Sequence, residues 1–341
     1  MKRATLAFAC TLAAAAPARA NMTIAAQAAG GLIPIRSEAI TLEEEDLYVS
    51  PDLVRVHYVF RNISGKAVEA PILFPLPDMD TRLQSDDSYV IPLPYNAAPP
   101  LIPAQVKVNG KLVEVGWQHY AYTADGRDVT RQLTKAGLPM LAVGEVNDAA
   151  RKNSDDLLRQ LVEDGVLEKD KWGYHANWIV RGAYRWEQSF AAEGKTVVDL
   201  EYKPLTGGYS TSLKAHDKPT AAQVEASFSQ RDSKPDYAPW PESYCLTPAQ
   251  AKALRALPRH KNETDAEVRW TRYILVTARN WQGPIGRFHL TVDKQNPKAV
   301  AAFCAPDGKA VARKTGKTTT ELTIRNFTPT ANFQLLTVTP D

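Results

Sequence analysis

The sequence predicts a mainly β protein, made of β-sandwich-like domains with a few inserted helices. Three observations carry that expectation. Val54, Val56, Tyr58 and Phe60 alternate with Arg55, His57 and Arg61, the period of a half-buried strand. The chain holds 24 prolines placed as punctuation between short runs, which a mostly helical protein would not tolerate. Asn109-Gly110 divides 105–108 from 111–115, and this pair accepts the positive φ angles of a type I′ turn, so Val108 should oppose Lys111 and Val106 should oppose Val113.

The N-terminus reads as an export signal. Met1-Lys2-Arg3 is a basic start, residues 4–16 are apolar, and Ala18-Arg19-Ala20 is a small-x-small cleavage site, so residues 1–20 are a predicted signal peptide cut after Ala20. The apolar run is shorter than the roughly 20 residues that span a bilayer. Cys10 leaves with it; Ala7-Phe8-Ala9 lacks the aliphatic residue expected before a lipid-modified cysteine. The leader carries Lys2, Arg3 and Arg19 and no acid. Its removal leaves 38 basic against 38 acidic side chains, a formal charge of zero. That balance argues against nucleic acid as a partner, and no later stretch is long and apolar enough for a transmembrane segment in the mature chain. A soluble periplasmic or secreted protein is expected.

Further elements follow in order. Residues 68–76 form a strand ended by Phe74-Pro75-Leu76-Pro77, and a proline-rich crossing occupies 92–103. Between 128 and 167 the period turns helical: Leu157, Leu158, Leu161 and Val162 share a face, Asn153 or Ser154 offers a cap and Gly165 a stop. From 172 to 190 every aromatic is even-numbered (Trp172, Tyr174, Trp178, Tyr184, Trp186, Phe190), which predicts strands with one aromatic face, broken near Gly182. A strand at 197–202 stops at Pro204. Thr247-Pro248-Ala249-Gln250 opens a helix with a capping box, ended by Pro258. Strands near 268–278, 286–293, 298–304, 309–314, 318–326 and 332–338 complete the chain.

These elements predict an N-terminal β-rich domain at 21–208 with a helical insertion at about 145–167. A linker at 209–239 and a C-terminal β-sandwich-like domain at 240–341 with one leading helix follow. Cys245 and Cys304, 59 residues apart, are expected to form a disulfide in an oxidising compartment, worth about 4 kcal/mol by loop closure.

Motifs for a reaction are missing. The histidines are scattered, with no His-Glu-x-x-His and no Cys-x-x-Cys, so no metal or other cofactor is expected. Asp78, Asp80, Asp86 and Asp87 do not make a calcium hand, since Leu83 stands where glycine is needed and Tyr89 where glutamate is needed. Gly316-Lys317-Thr318 lacks the earlier glycine of a phosphate loop, Val311 being there. No Gly-x-Ser-x-Gly elbow exists, and no residue is assigned a catalytic role. Trp172, Tyr174 and Trp178 are binding candidates if their rings face solvent, although an alternating aromatic face is more commonly core. His119, Asp125 and Asp128 form a second candidate cluster that turn chemistry also explains.

Several motifs occur in combination: Gly30-Gly31-Leu32, Tyr58-x-Phe60-x-Asn62, Phe74-Pro75-Leu76-Pro77, Gly126-Arg127-Asp128-Val129-Thr130, Gly137-Leu138-Pro139, Asn280-Trp281-x-Gly283-Pro284-Ile285-Gly286 and Asn326-Phe327-Thr328-Pro329. Together they resemble a family of secreted bacterial proteins held as domain of unknown function 4424. The resemblance covers nearly the whole mature chain and implies a bacterial, periplasmic protein without supplying a reaction. Residues 47–77 are also similar to the N-terminal β-sandwich of vault and inter-alpha-trypsin-inhibitor proteins, which are interaction modules. The expected function is therefore a non-catalytic binding or scaffolding module of the cell envelope, with an envelope protein or glycan as partner. The alternative is an envelope hydrolase or carbohydrate-active enzyme whose carboxylates converge from distant strands.

Overall fold

The computed structural model describes residues 22–28, 31–82, 103–141, 143–204, 206–214, 243–257, 263–308 and 314–340. The leader with its cleavage site, Asp86 and Asp87, most of the proline-rich crossing and most of the expected linker lie outside the described residues. The molecule is mainly β.

The chain opens with the antiparallel pair β1 (Thr23–Ala28) and β2 (Gly31–Pro34), then β3 (Ile40–Val49), β4 (Val54–Asn62), β5 (Val68–Pro75) and the short β6 (Met79–Asp80). The Asn109-Gly110 hairpin forms as its sequence requires, from β7 (Ala104–Val108) and β8 (Lys111–Leu112). Val108 opposes Lys111, the Val113 N–H donates to the Val106 carbonyl at 3.0 Å, and Asn109 and Gly110 take φ of 49° and 79°. After β9 (Gly116–Tyr122) come three helices, α1 (Thr130–Lys135), α2 (Val146–Ala150) and α3 (Asp155–Glu163), where one insertion was expected. Ser154 caps α3, and Gly165 ends it with φ +68°.

The hairpin β10 (Leu167–Lys169) and β11 (Tyr174–Ala176) leads into β12 (Ile179–Phe190), followed by β13 (Lys195–Tyr202) and β14 (Thr206–Lys214). β12 is unbroken at Gly182, contrary to expectation. The glycine makes room for a neighbour: a Cβ there would lie 2.2 Å from the Trp117 ring. The capping box at Thr247 and Gln250 starts α4 (Pro248–Arg255). The last strands are β15 (Glu263–Tyr273), β16 (Ile285–Asp293), β17 (Val300–Ala302), β18 (Lys314–Thr315), β19 (Thr319–Phe327) and β20 (Phe333–Pro340). The run expected at 268–278 ends as strand at Tyr273 and continues as a 3-10 helix, Val276–Asn280.

Apart from the β10-β11 hairpin, three sheets organise these strands among the described residues. The largest has the order β18-β19-β16-β3-β4-β13-β7-β8; a second runs β2-β1-β5-β12-β6 with β9 also on β12; a third runs β14-β15-β20-β17. The main core lies between the inner faces of the first two. Val56, Tyr58, Phe60, Leu200 and Leu290 from one sheet meet Ile72, Phe74, Tyr184, Trp186 and Phe190 from the other. Trp281 fills the junction, its ring 4.6 Å from Phe60 and its indole N–H donating to the Met22 carbonyl at 2.8 Å. Each such side chain contributes about 1.5–3 kcal/mol by leaving water.

Sequence order and spatial order part at the expected domain boundary. β14 occupies the start of the predicted 209–239 linker, and β16, from the predicted C-terminal domain, pairs in parallel with β3, Leu290 beside Leu47. The two halves of the chain thus complete one sheet. Smaller cores sit outside it: Leu133, Val146, Leu158 and Leu161 of the helices pack on Trp178 and Val180, and Ala251 and Leu254 of α4 pack on Trp270, Leu336 and Val338. Cys245 and Cys304 are bonded, with Cα atoms 4.9 Å apart, joining the segment before α4 to the segment just after β17.

Candidate functional site

Strand alternation sends every second side chain of the eight-stranded sheet to its outer face, and in register these form a charged band. Thr323, His289, Asp46, His57, Asp199 and Lys107 are successive partners across β19, β16, β3, β4, β13 and β7. A parallel row holds Glu321, Thr291, Tyr48, Arg55, Glu201 and Gln105. Between the rows lies a shallow cleft of about 320 Å³, lined by Asp46, Tyr48, Arg55, His57, Lys107 and Asp199 among others.

Partners orient the band. His57 Nδ1 donates to Asp199 Oδ1 at 2.7 Å, and Arg287 holds Asp46 at 2.8 Å and Glu44 at 2.5 Å. Tyr48 donates to Asp293 at 2.8 Å while the Arg55 guanidinium lies 4.6 Å over its ring. His289 Nδ1 is 2.9 Å from the Thr323 hydroxyl. At one side Glu43 accepts from Lys195 at 2.8 Å and from Arg61 at 2.5 Å, and the bond to Lys195 leads in holding its carboxyl below the usual range. Lys107 and Glu201 make no ion pair among the described residues, so the band offers both a cation and an anion to solution.

A bulge in β3 decides which acids face out. The register shifts between Leu42 and Glu44, so Glu43 and Glu44 both reach the outer face while Glu45 turns into the core. There Glu45 accepts from the Tyr273 hydroxyl at 3.1 Å, and Tyr273 and Tyr58 bond through their hydroxyls at 2.7 Å. Burial first, and the Glu45 charge after it, push the Tyr58 phenol far above its ordinary value; burial also leads at Tyr273, so both phenols stay protonated donors.

None of the sequence-chosen candidates lies in this cleft. Trp178 is wholly buried in the helical core, its indole N–H donating to the Met140 carbonyl at 2.9 Å, which removes it as a surface candidate. Tyr174 is half-buried, and Trp172 is exposed on the turn between β10 and β11. His119 stacks beside Trp117 on β9, and burial lowers its pKa. Asp125 accepts from the Thr123 hydroxyl within a turn closed by Gly126, and Asp128 accepts from the Thr130 N–H at 2.9 Å at the start of α1. Both acids therefore do turn and cap work. Among the described residues no group of three His, Cys, Asp or Glu is placed to hold a metal ion, and no helix is long and apolar enough to cross a membrane.

A family model for a domain of unknown function, DUF4424, matches residues 20–336. The chain belongs to the DUF4424 family. A comparison with curated proteins finds no match to the sequence. Among solved structures, a “putative nutrient binding protein” from Legionella pneumophila is similar at 14% identity and a TM-score of 0.45, over 95% of this chain and 71% of that one. An M1 zinc metallopeptidase from Deinococcus radiodurans is similar at 7% identity and a TM-score of 0.30, over 89% of this chain. This chain spans 43% of the metallopeptidase. At these scores neither likeness bears on the activity of this DUF4424 protein.

Proposed function

We propose that this DUF4424 protein is exported, cleaved after Ala20, and serves in the periplasm as a non-catalytic binding or scaffolding module that docks partners on the outer face of its eight-stranded sheet. The observation that carries the reading is the six-strand row from Thr323 to Lys107, a broad shallow surface on which Arg287 pairs with Asp46, His57 hydrogen-bonds Asp199, and Lys107 is left to solution. Asp46 and Asp199 stand two strands apart, about 10 Å by sheet spacing, with His57 between them. Such a surface suits docking of a charged partner; a hydrolase needs carboxylates free to exchange protons at one bond. The leader and the Cys245–Cys304 bond support an oxidising compartment.

The test has two parts. Periplasmic extract should yield a chain beginning at Asn21 with both cysteines linked; a membrane-bound product retaining Met1 counts against export. The mature chain, used as bait on envelope extract, should retain partners that the D46A/H57A/D199A variant loses while keeping the wild-type melting curve. Equal capture by both would remove this face from the reading.

A further inference from the structure

The turn joining β10 to β11 is a rigid mount for one exposed ring. The Asp170 N–H donates to the Gly173 carbonyl at 3.0 Å and closes the turn. The Asp170 carboxylate accepts from the Trp172 N–H at 2.7 Å, the Gly173 N–H at 3.0 Å and His175 Nε2 at 2.9 Å. Gly173 takes φ +137°, and a Cβ there would fall 2.4 Å from Asn147 Oδ1, the oxygen that accepts the Tyr174 N–H at 3.1 Å. The turn is thereby fastened to α2.

This mount carries Trp172, 71% exposed, whereas Trp178, Trp186, Trp270 and Trp281 are buried and Trp117 is partly so. A large ring left in water on a preorganised turn contributes nothing to the core and keeps its area for a ligand. Lys171 Nζ stands 4.9 Å from the Trp172 ring centre, over one face of an indole that is mostly in water. Lys169 Nζ stands 5.1 Å from the Tyr174 ring centre. Both lysines are exposed, and neither makes an ion pair among the described residues.

We propose that this turn is a carbohydrate-binding tip. A sugar of an anionic envelope glycan stacks its C–H face on the exposed ring of Trp172, while Lys169 and Lys171 meet carboxylate or phosphate groups of the same chain. A lipid surface is the poorer fit. Membrane anchoring needs a broad apolar face, and the neighbours of Trp172 on this turn are Asp170, Lys171 and Gly173. One flat ring fringed with polar groups matches a sugar instead, apolar on a face and polar at its rim. The inference rests on the extracytoplasmic reading for where the ligand is met, and it uses a surface other than the sheet face.

Co-sedimentation of the full mature chain with purified peptidoglycan sacculi tests it, beside vesicles of phosphatidylethanolamine and phosphatidylglycerol. Wild type should pellet with sacculi, and W172A should lose roughly tenfold in affinity with an unchanged melting temperature. W172F should retain most binding, and K169A/K171A should bind more weakly with a shallower salt dependence. The D46A/H57A/D199A variant should bind sacculi as wild type does, which separates failure of the tip from failure of the sheet face. Sacculus binding by W172A at the wild-type level overturns the proposal. So does a wild-type chain that ignores sacculi or pellets with vesicles alone.

Discussion

Trp172 and Trp178 lie six residues apart with opposite surroundings, and the contrast is measurable. Trp178 and Trp186 are core rings, so replacing either with Ala should cost about 3–5 kcal/mol and lower the melting temperature, while Trp172→Ala should leave it nearly unchanged. Thermal melts of the three variants check this; wild-type melting of both core variants would contradict the packing described. Asp78 makes a second prediction at this scale. Burial raises its carboxyl from 3.8 to about 6 although Arg181 Nε stands 3.2 Å away. The folded chain therefore binds this proton more tightly than the unfolded chain does. Its contribution to stability is fully present below about pH 4 and is lost as pH rises to about 6. Asp78→Asn should remove that slope. Urea midpoints of variant and wild type should therefore diverge between those pH values and run parallel above them, and curves parallel throughout would refute the assignment.

At the scale of the element, one extra residue in β3 and one missing side chain in β12 shape the sheets. The bulge between Leu42 and Glu44 inverts the phase of β3, exposing Glu43 and Glu44 and sending Glu45 inward, where the Tyr273 hydroxyl meets it. A charged triplet that reads as surface is thus split between two environments. Gly182 lets β12 and β9 pair with the Trp117 indole laid across the strand. Gly182→Ala should displace that ring and cost about 1–3 kcal/mol. Denaturant unfolding measures the loss, and a neutral substitution would mean that the ring moves aside freely. Such a loss would be larger than that from most surface changes, because the clash involves a ring packed on Tyr184 at 5.2 Å.

Over the whole molecule, chain connectivity and spatial contact follow different plans. The Cys245–Cys304 bond closes a 59-residue loop that contains α4, β15, β16 and β17. Cys304→Ser should cost roughly 2–4 kcal/mol, read as a lower melting temperature of the non-reduced protein. Peptide mapping without reductant should recover the two cysteines linked; two alkylated thiols in the non-reduced protein would contradict the bond. The parallel pairing of β16 with β3 ties strands from the two halves of the chain into one sheet over a shared core.

Local rules in the sequence were sufficient for the elements whose cause is local. The Asn109-Gly110 hairpin, the Ser154 cap, the capping box at Thr247 and the alternation of Val54 to Phe60 each follow from backbone preference or side-chain period, and each appears where those rules put it. The mainly β class followed from the same signals. The candidate face was legible only in part: alternation already sent Arg55, His57 and Arg61 to one side, yet nothing in the chain order set Asp46 between His57 and His289. That neighbourhood comes from β16 docking in parallel beside β3, a contact between residues more than two hundred positions apart. The physical reason is that hydrogen-bond ladders register through space. Any strand of the right pattern can pair with any other, and only the shared burial of inner faces such as Leu47 and Leu290 selects the partner and, with it, the charges that meet outside.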